Sequence, residues 1–283
     1  VADAAGNKMD KMIEVIKINV SDTIDIDKVE ATARDTIEIT FADNVTAFEA
    51  EDIRIQVGED DGKPKFLDHD KDIAGVSTKL NDDGNTVAVF TLDDDILAYN
   101  VEDAGNEVFV WIMPAEGEDE IKSENRYGNK LTEYKDGTKI KVRDKIAPEL
   151  YDNNSKETDF AKEGDNPYVG DYLKVTVADG VYVGYNFLAT LYFSEPIDSG
   201  INKTLAGSDF IITLEGDKLT NGIDYEVVKC GAVSGTDIGF ITFGLVGKNN
   251  EDKDQFELIG ELEISRVEDP DYVTDEKDNK IAE

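Results

Sequence analysis

Along most of this chain apolar and polar residues alternate with a period of two, in short runs divided by turn-forming residues. That pattern restricts it to β architecture. Thr36-Ile37-Glu38-Ile39-Thr40-Phe41 alternates cleanly, and Thr86 to Leu92 does so after the turn Asn81-Asp82-Asp83-Gly84-Asn85. Successive side chains of a strand point to opposite faces, so alternation marks one buried face and one wet face. Val108-Phe109-Val110-Trp111-Ile112 is apolar throughout, as a strand covered on both faces would be. The style continues in Leu173 to Val177, Leu188 to Phe193, Phe210 to Leu214, Ile238 to Phe243 and Phe256 to Ile264. Ile13 to Val20 alternates with one phase shift between Val15 and Ile16, the signature of a β-bulge. Long helical periodicity is missing, and Glu116 to Arg126 is expected as one short helix or an acidic loop. Strands at this density with Gly/Asn/Asp turns predict an all-β fold of sandwiches.

A short phrase occurs three times: Gly6-Asn7-Lys8-Met9-Asp10, Gly128-Asn129-Lys130-Leu131-Thr132-Glu133 and Asp278-Asn279-Lys280-Ile281-Ala282-Glu283. The copies are spaced by about one domain each. The halves also align internally. Ile39-Thr40-Phe41-Ala42-Asp43-Asn44-Val45 matches Leu191-Tyr192-Phe193-Ser194-Glu195-Pro196-Ile197, and Glu51-Asp52-Ile53-Arg54-Ile55 matches Ser208-Asp209-Phe210-Ile211-Ile212. A linker is expected near residues 143–149, where Pro148 follows a polar stretch and stiffens the backbone. The expected organisation is the end of a preceding repeat or an extended strand over 1–12, one sandwich over 13–146 and a second over 147–283. Such repetition suits a protein that holds, spans or coats.

Charge narrows the function further. The chain has 29 Lys+Arg against 64 Asp+Glu, a net charge of −35, which repels nucleic-acid backbones and anionic lipid. A hydrophobic content of 40% is enough for folded cores. The single cysteine, Cys230, lies in a strand-like stretch and is expected as a small buried apolar residue. No apolar run is long enough to insert in a membrane.

Three short motifs resemble bacterial Ig-like domains of surface-layer proteins. Phe193-Ser194-Glu195-Pro196-Ile197-Asp198 is similar to a strand end of those domains, Asp144-Lys145-Ile146-Ala147-Pro148 to the junction between them, and the Gly-Asn-Lys phrase to the turn before their last strand. Both halves take part, although Ala42-Asp43-Asn44 departs from the Ser-Glu-Pro pattern. The resemblance implies two tandem Ig-like β-sandwich domains in a self-assembling cell-surface lattice, with calcium holding domains together. It implies an extracellular place on a bacterial cell surface or wall, and attachment to a cell-wall polymer through regions outside this chain.

Calcium takes six to eight oxygen ligands from adaptable loops. If one pole of each sandwich gathers the linker, the end of the second strand and the loop before the last strand, acids converge there. In the second unit these are Asp144, Glu195, Asp269, Asp271 and Asp275; in the first, Asp22, Asp43, Glu116, Glu118 and Asp119. The alternative is a set of solvated loop acids with diffuse ion binding. Glu59-Asp60-Asp61-Gly62 and Asn81-Asp82-Asp83-Gly84 read as hairpin turns, and Asp68-His69-Asp70 as a loop. Phosphate loops, nucleophile elbows and zinc spacings are missing, so the chain is expected not to be an enzyme. Tyr134, Tyr151, Tyr168, Tyr172, Tyr182 and Tyr185 leave a carbohydrate-binding module or adhesin as the competing reading.

The last phrase stops at Glu283, whereas the first unit continues through Lys139-Ile140-Lys141-Val142. The second unit is therefore expected to lack a final strand. Residues 1–20 carry a phrase followed by such a strand. They would complete a neighbour's second unit by strand donation, or the chain is simply cut from a longer array, in which case deleting 1–12 leaves self-association intact.

Overall fold

The computed structural model describes residues 23–103, 105–134, 139–151, 173–178, 184–246 and 261–282. Strands form where the alternation places them. Thr36–Phe41, Thr86–Leu92, Val108–Ile112, Leu173–Val177 and Phe210–Leu214 occur with those bounds, and Phe187–Phe193, Gly239–Leu245 and Leu262–Arg266 lie close to the sequence expectation. The expected strand and bulge over 13–20, the first phrase, residues 256–260, and Tyr168, Tyr172 and Tyr182 lie outside the described residues.

Two hydrophobic cores result. In the first, a five-stranded sheet (Arg143–Asp144, Ile26–Ala33, Thr36–Phe41, Thr86–Leu92, Ile73–Leu80) faces a four-stranded one (Ile140–Lys141, Val108–Ile112, Ile53–Asp60, Lys63–Phe66). Phe41, Phe90, Ile37, Ile39, Ile53, Ile55 and Ile112 are fully buried between them. The second core lies between Leu173–Val177, Phe187–Phe193, Gly239–Leu245 and Tyr225–Ala232 on one side and Asp217–Lys218, Phe210–Leu214 and Leu262–Arg266 on the other. Phe193, Phe243 and Ile212 fill it, with Phe210 edge-on to Phe243 at 5.0 Å.

The closing strand of the first unit serves both sheets. Ile140–Lys141 pairs antiparallel with Val110 and Phe109, and Arg143–Asp144 then pairs parallel with Glu30 and Ala31. Val142 between them is fully buried. The expected linker is thereby divided. Lys145 N–H donates to Ala31 O and Ile146 enters the first core, whereas Ala282 N–H donates to Pro148 O and Glu149 exchanges hydrogen bonds with Ser194. Little free backbone separates the two units.

Turn chemistry explains several acidic clusters. Asp61 and Gly62 both have positive φ, as a two-residue turn between Ile53–Asp60 and Lys63–Phe66 requires. Asn81 Oδ1 accepts from the N–H groups of Asp83 and Asn85. His69 Nε2 hydrogen-bonds Ile53 O at 2.8 Å, a loop role. Residues 116–126 form no helix. Gly117 has φ 86° in an exposed turn, and the N–H groups of Lys122 and Ser123 are taken by Asp52 Oδ2, which holds Ile121 and Ser123 buried.

Cys230 is buried, with its Sγ 3.6 Å from Asp198 O, and burial pushes its thiol pKa up. It is expected to react with a thiol reagent only when the second core opens. Labelling of the native chain should therefore be many-fold slower than in denaturant; equal rates would show an exposed thiol.

Candidate metal centre at the junction

In its two described copies the repeated phrase is a turn built by an Asx side chain that precedes it. In the first unit Asn125 Oδ1 accepts from the N–H groups of Tyr127 and Asn129, and Gly128 supplies φ 78°. In the second unit Asp275 Oδ1 accepts from Lys277 and Asn279, and Asp278 takes φ 64°, a left-handed conformation that a short polar residue tolerates. Strand register confirms the equivalence, because Asn125 pairs with Val45 as Asp275 pairs with Ile197.

One difference between the units creates the site. Asp43 Oδ2 accepts from Asn125 Nδ2 at 2.8 Å, a satisfied carboxylate–amide pair. At the same positions the second unit places Glu195 and Asp275, two carboxyls, and the closing strand of the first unit adds Asp144. These three offer oxygens that lie within 4.8 Å of one another. Exposure is 2% for Asp144, 3% for Glu195 and 2% for Asp275. Asn279 ties the cluster together, donating from Nδ2 to Asp275 Oδ2 (2.8 Å) and to Asp144 O (3.4 Å).

Hydrogen bonding leaves the cluster short of partners. Asp144 Oδ1 accepts from Ile146 N–H at 3.0 Å, but Asp144 Oδ2 and Glu195 Oε1 are buried with no hydrogen-bond partner. An orphaned buried carboxylate oxygen is costly unless a proton or a cation satisfies it. Beside them lies a cavity of about 20 Å³, lined also by Asn100, Asp103 and Lys277, with room for one ion or water. Lys277 turns toward Glu102 (3.9 Å) and Asp103 (3.5 Å) of the first unit.

Burial dominates the electrostatics. Desolvation, with Asp275 and Glu102 adding repulsion, pushes Asp144 up to about 7. Desolvation and the charges of Asp275 and Asp144 push Glu195 up to about 10. Both carboxyls hold protons more tightly folded than unfolded. Without a cation, stability must fall as pH rises, from 3.8 to about 7 for Asp144 and from 4.5 to about 10 for Glu195. Thermal melts in chelator across that range are expected to show a falling midpoint, with a shallower slope in Glu195→Gln. A midpoint that rises with pH, or an unchanged slope in the variant, would contradict this.

The other candidate acids lie elsewhere. Asp269 and Asp271 are exposed, and Asp271 pairs with Lys280 at 2.9 Å. Asp43 is exposed and bonded to Asn125. Glu116, Glu118 and Asp119 are exposed, with Glu118 on Lys122 at 2.9 Å, and Asp22 lies outside the described residues. Among the described residues, Asp144, Glu195 and Asp275 form the one group of three potential ligands. Of the candidate tyrosines, Tyr185 is packed over Gly244, where a Cβ would come within 2.6 Å of its ring, and its hydroxyl donates to Glu226 at 2.7 Å.

Two buried acids that sequence reasoning left without a role are structural. Asp209, 2% exposed, accepts from Asp271, Tyr272 and Val273 N–H at 2.8–3.0 Å. Asp52, 1% exposed, serves Lys122 and Ser123 at the equivalent place. The signal was present in the internal alignment, where both precede the same strand.

Residues 27–145 match the family model described as outer cell wall protein domain 7. The match places the chain at the extracellular cell surface and supports a structural role there. No curated protein matches. Among the described residues no helix is long and apolar enough to cross a membrane. Similar solved structures include the N-terminal part of the bacterial S-layer protein SbsC, at 13% identity and TM-score 0.30, covering 80% of this chain and 44% of that one. The S-layer protein rSbsC(31-844) is similar at 14% identity and TM-score 0.29, covering 79% and 26%. SbsC domains 1-6 are similar at 14% identity and TM-score 0.29, covering 91% and 33%. The chain spans less than half the length of each.

Proposed function

We propose, for a chain at the cell surface, a structural role in a self-assembling surface-layer lattice, with two Ig-like sandwiches locked at their junction by calcium. The observation that carries the reading is the buried group of Asp144, Glu195 and Asp275. It draws one ligand from the closing strand of the first unit and two from the second, and two of its oxygens lack partners. A cation there would satisfy those oxygens, cancel the repulsion and fix the angle between the units. Calcium suits the site better than magnesium. It accepts irregular carboxylate cages, whereas magnesium holds its water shell and demands near-octahedral geometry. The net charge of −35 keeps free subunits apart until cations screen or bridge them.

Light scattering of the purified chain tests the assembly part. Scattering is expected to rise on adding calcium and to rise less with magnesium at equal ionic strength. A chain that remains monomeric in calcium while binding a glycan would instead be an adhesin or carbohydrate-binding module.

A further inference from the structure

A lysine stands beside the three junction carboxyls, on the unit that supplies two of them. Lys277 lines the same cavity as Asp144, Glu195 and Asp275. Its backbone N–H donates to Asp275 Oδ1 at 2.7 Å, so the turn that aims Asp275 inward also sets where the lysine side chain begins. That side chain, 33% exposed, crosses to the first unit, where Nζ lies 3.5 Å from Asp103 Oδ1 and 3.9 Å from Glu102 Oε2. Both acids are held from their own side. Glu102 O accepts from Lys141 Nζ at 2.7 Å, Asp103 Oδ2 accepts from Asn100 Nδ2 at 3.3 Å, and Val101 just before them is fully buried. The buried oxygens Asp144 Oδ2 and Glu195 Oε1 take no hydrogen bond from the lysine. It therefore acts on them through its charge and leaves the space beside them to an ion.

Comparison of the two units isolates the feature. Tyr127 holds the matching position in the first unit, because its N–H donates to Asn125 Oδ1 as that of Lys277 does to Asp275 Oδ1. There Asp43 is already satisfied by the Asn125 amide, and Tyr127 is 63% exposed with the Arg126 guanidinium over its ring at 4.6 Å. The lysine thus accompanies the pair of carboxyls and is replaced where one carboxyl has become an amide.

We propose that Lys277 is a built-in counter-ion of the junction, which holds the two units together when no cation is bound and sets the calcium concentration at which the site fills. One charge does both. In the metal-free chain it offsets part of the repulsion among Glu102, Asp103 and the buried carboxyls across the junction. Against an entering divalent cation the same charge is repulsive, and it occupies two acids that would otherwise add their attraction. Without it the site would fill at lower calcium and stay filled over a wider range. With it the junction responds to changes in calcium around the cell surface.

This inference rests on the calcium reading of the same three carboxyls. Its test is a calcium titration of the full chain, for the parent, Lys277→Met and Lys277→Arg, in salt of about 0.15 M to screen diffuse binding by surface acids. Thermal melts in chelator accompany it. The backbone bond to Asp275 survives both substitutions, so the turn is kept. Lys277→Met is expected to bind calcium at least about threefold more tightly. In chelator it should melt about 1–3 °C below the parent. Lys277→Arg keeps the charge and should stay near the parent in both. A lysine with only a structural role would lower the midpoint in chelator and in calcium alike and leave the affinity unmoved. Affinity unchanged or weakened in Lys277→Met, or a chelator midpoint that does not fall, overturns the inference, and the parent's own calcium binding then leaves the site standing. A parent that binds no calcium removes the calcium reading and this inference with it.

Discussion

Asp209→Ala is expected to destabilise the second core by about 3–5 kcal/mol, as three backbone donors lose their acceptor. Asp271, Tyr272 and Val273 all direct N–H groups at this one carboxylate, and the last of them is buried against the core. Among the described residues the three N–H groups are served by this side chain and not by a paired strand. Asp209 thus acts as a short piece of sheet edge. Denaturant melts read through Cys230 reactivity check the value; a loss below about 1 kcal/mol would show that water replaces the carboxylate without penalty. Asp52→Ala should cost less, since Asp52 serves two donors and its Oδ1 is itself without a partner.

Glu195→Gln should act in opposite directions with and without calcium. In chelator the variant is expected to be more stable than the parent by at least about 1 kcal/mol near neutral pH, because an amide needs no proton to sit in a buried, acid-lined place. With calcium the order reverses. The parent gains about 3 kcal/mol at a hundredfold excess over the dissociation constant, and the variant gains little. Paired melts in chelator and in calcium decide this. A variant that still responds fully to calcium would move the site away from Glu195.

How much of this could be read from the sequence follows the range of the physics involved. Strand positions such as Thr36–Phe41 and Val108–Ile112 depend on local periodicity and were legible. The internal match of Asp43 with Glu195 was legible too, and so was the convergence of Asp144, Glu195 and Asp275. Selection among the acids was not. Asp269 and Asp271 lie in the same loop as Asp275, but only Asp275 begins the turn that points a carboxyl inward. Asp43 lost its candidacy to one residue distant in sequence, Asn125, whose amide satisfies it. Asp52 and Asp209 aligned in the sequence but showed no role, because their backbone partners come from segments about 60–70 residues away. The loop over 116–126 was ambiguous for the same reason: Asp52 decides its conformation.

The most direct test of the central claim is the thermal midpoint of the wild-type chain in calcium, in magnesium at equal ionic strength and in chelator. If Asp144, Glu195 and Asp275 bind calcium at the junction, the midpoint rises with calcium and saturates, while magnesium leaves it near the chelator value. Coincident melts in all three would contradict the account and leave Asp144, Glu195 and Asp275 as a metal-free contact between the units.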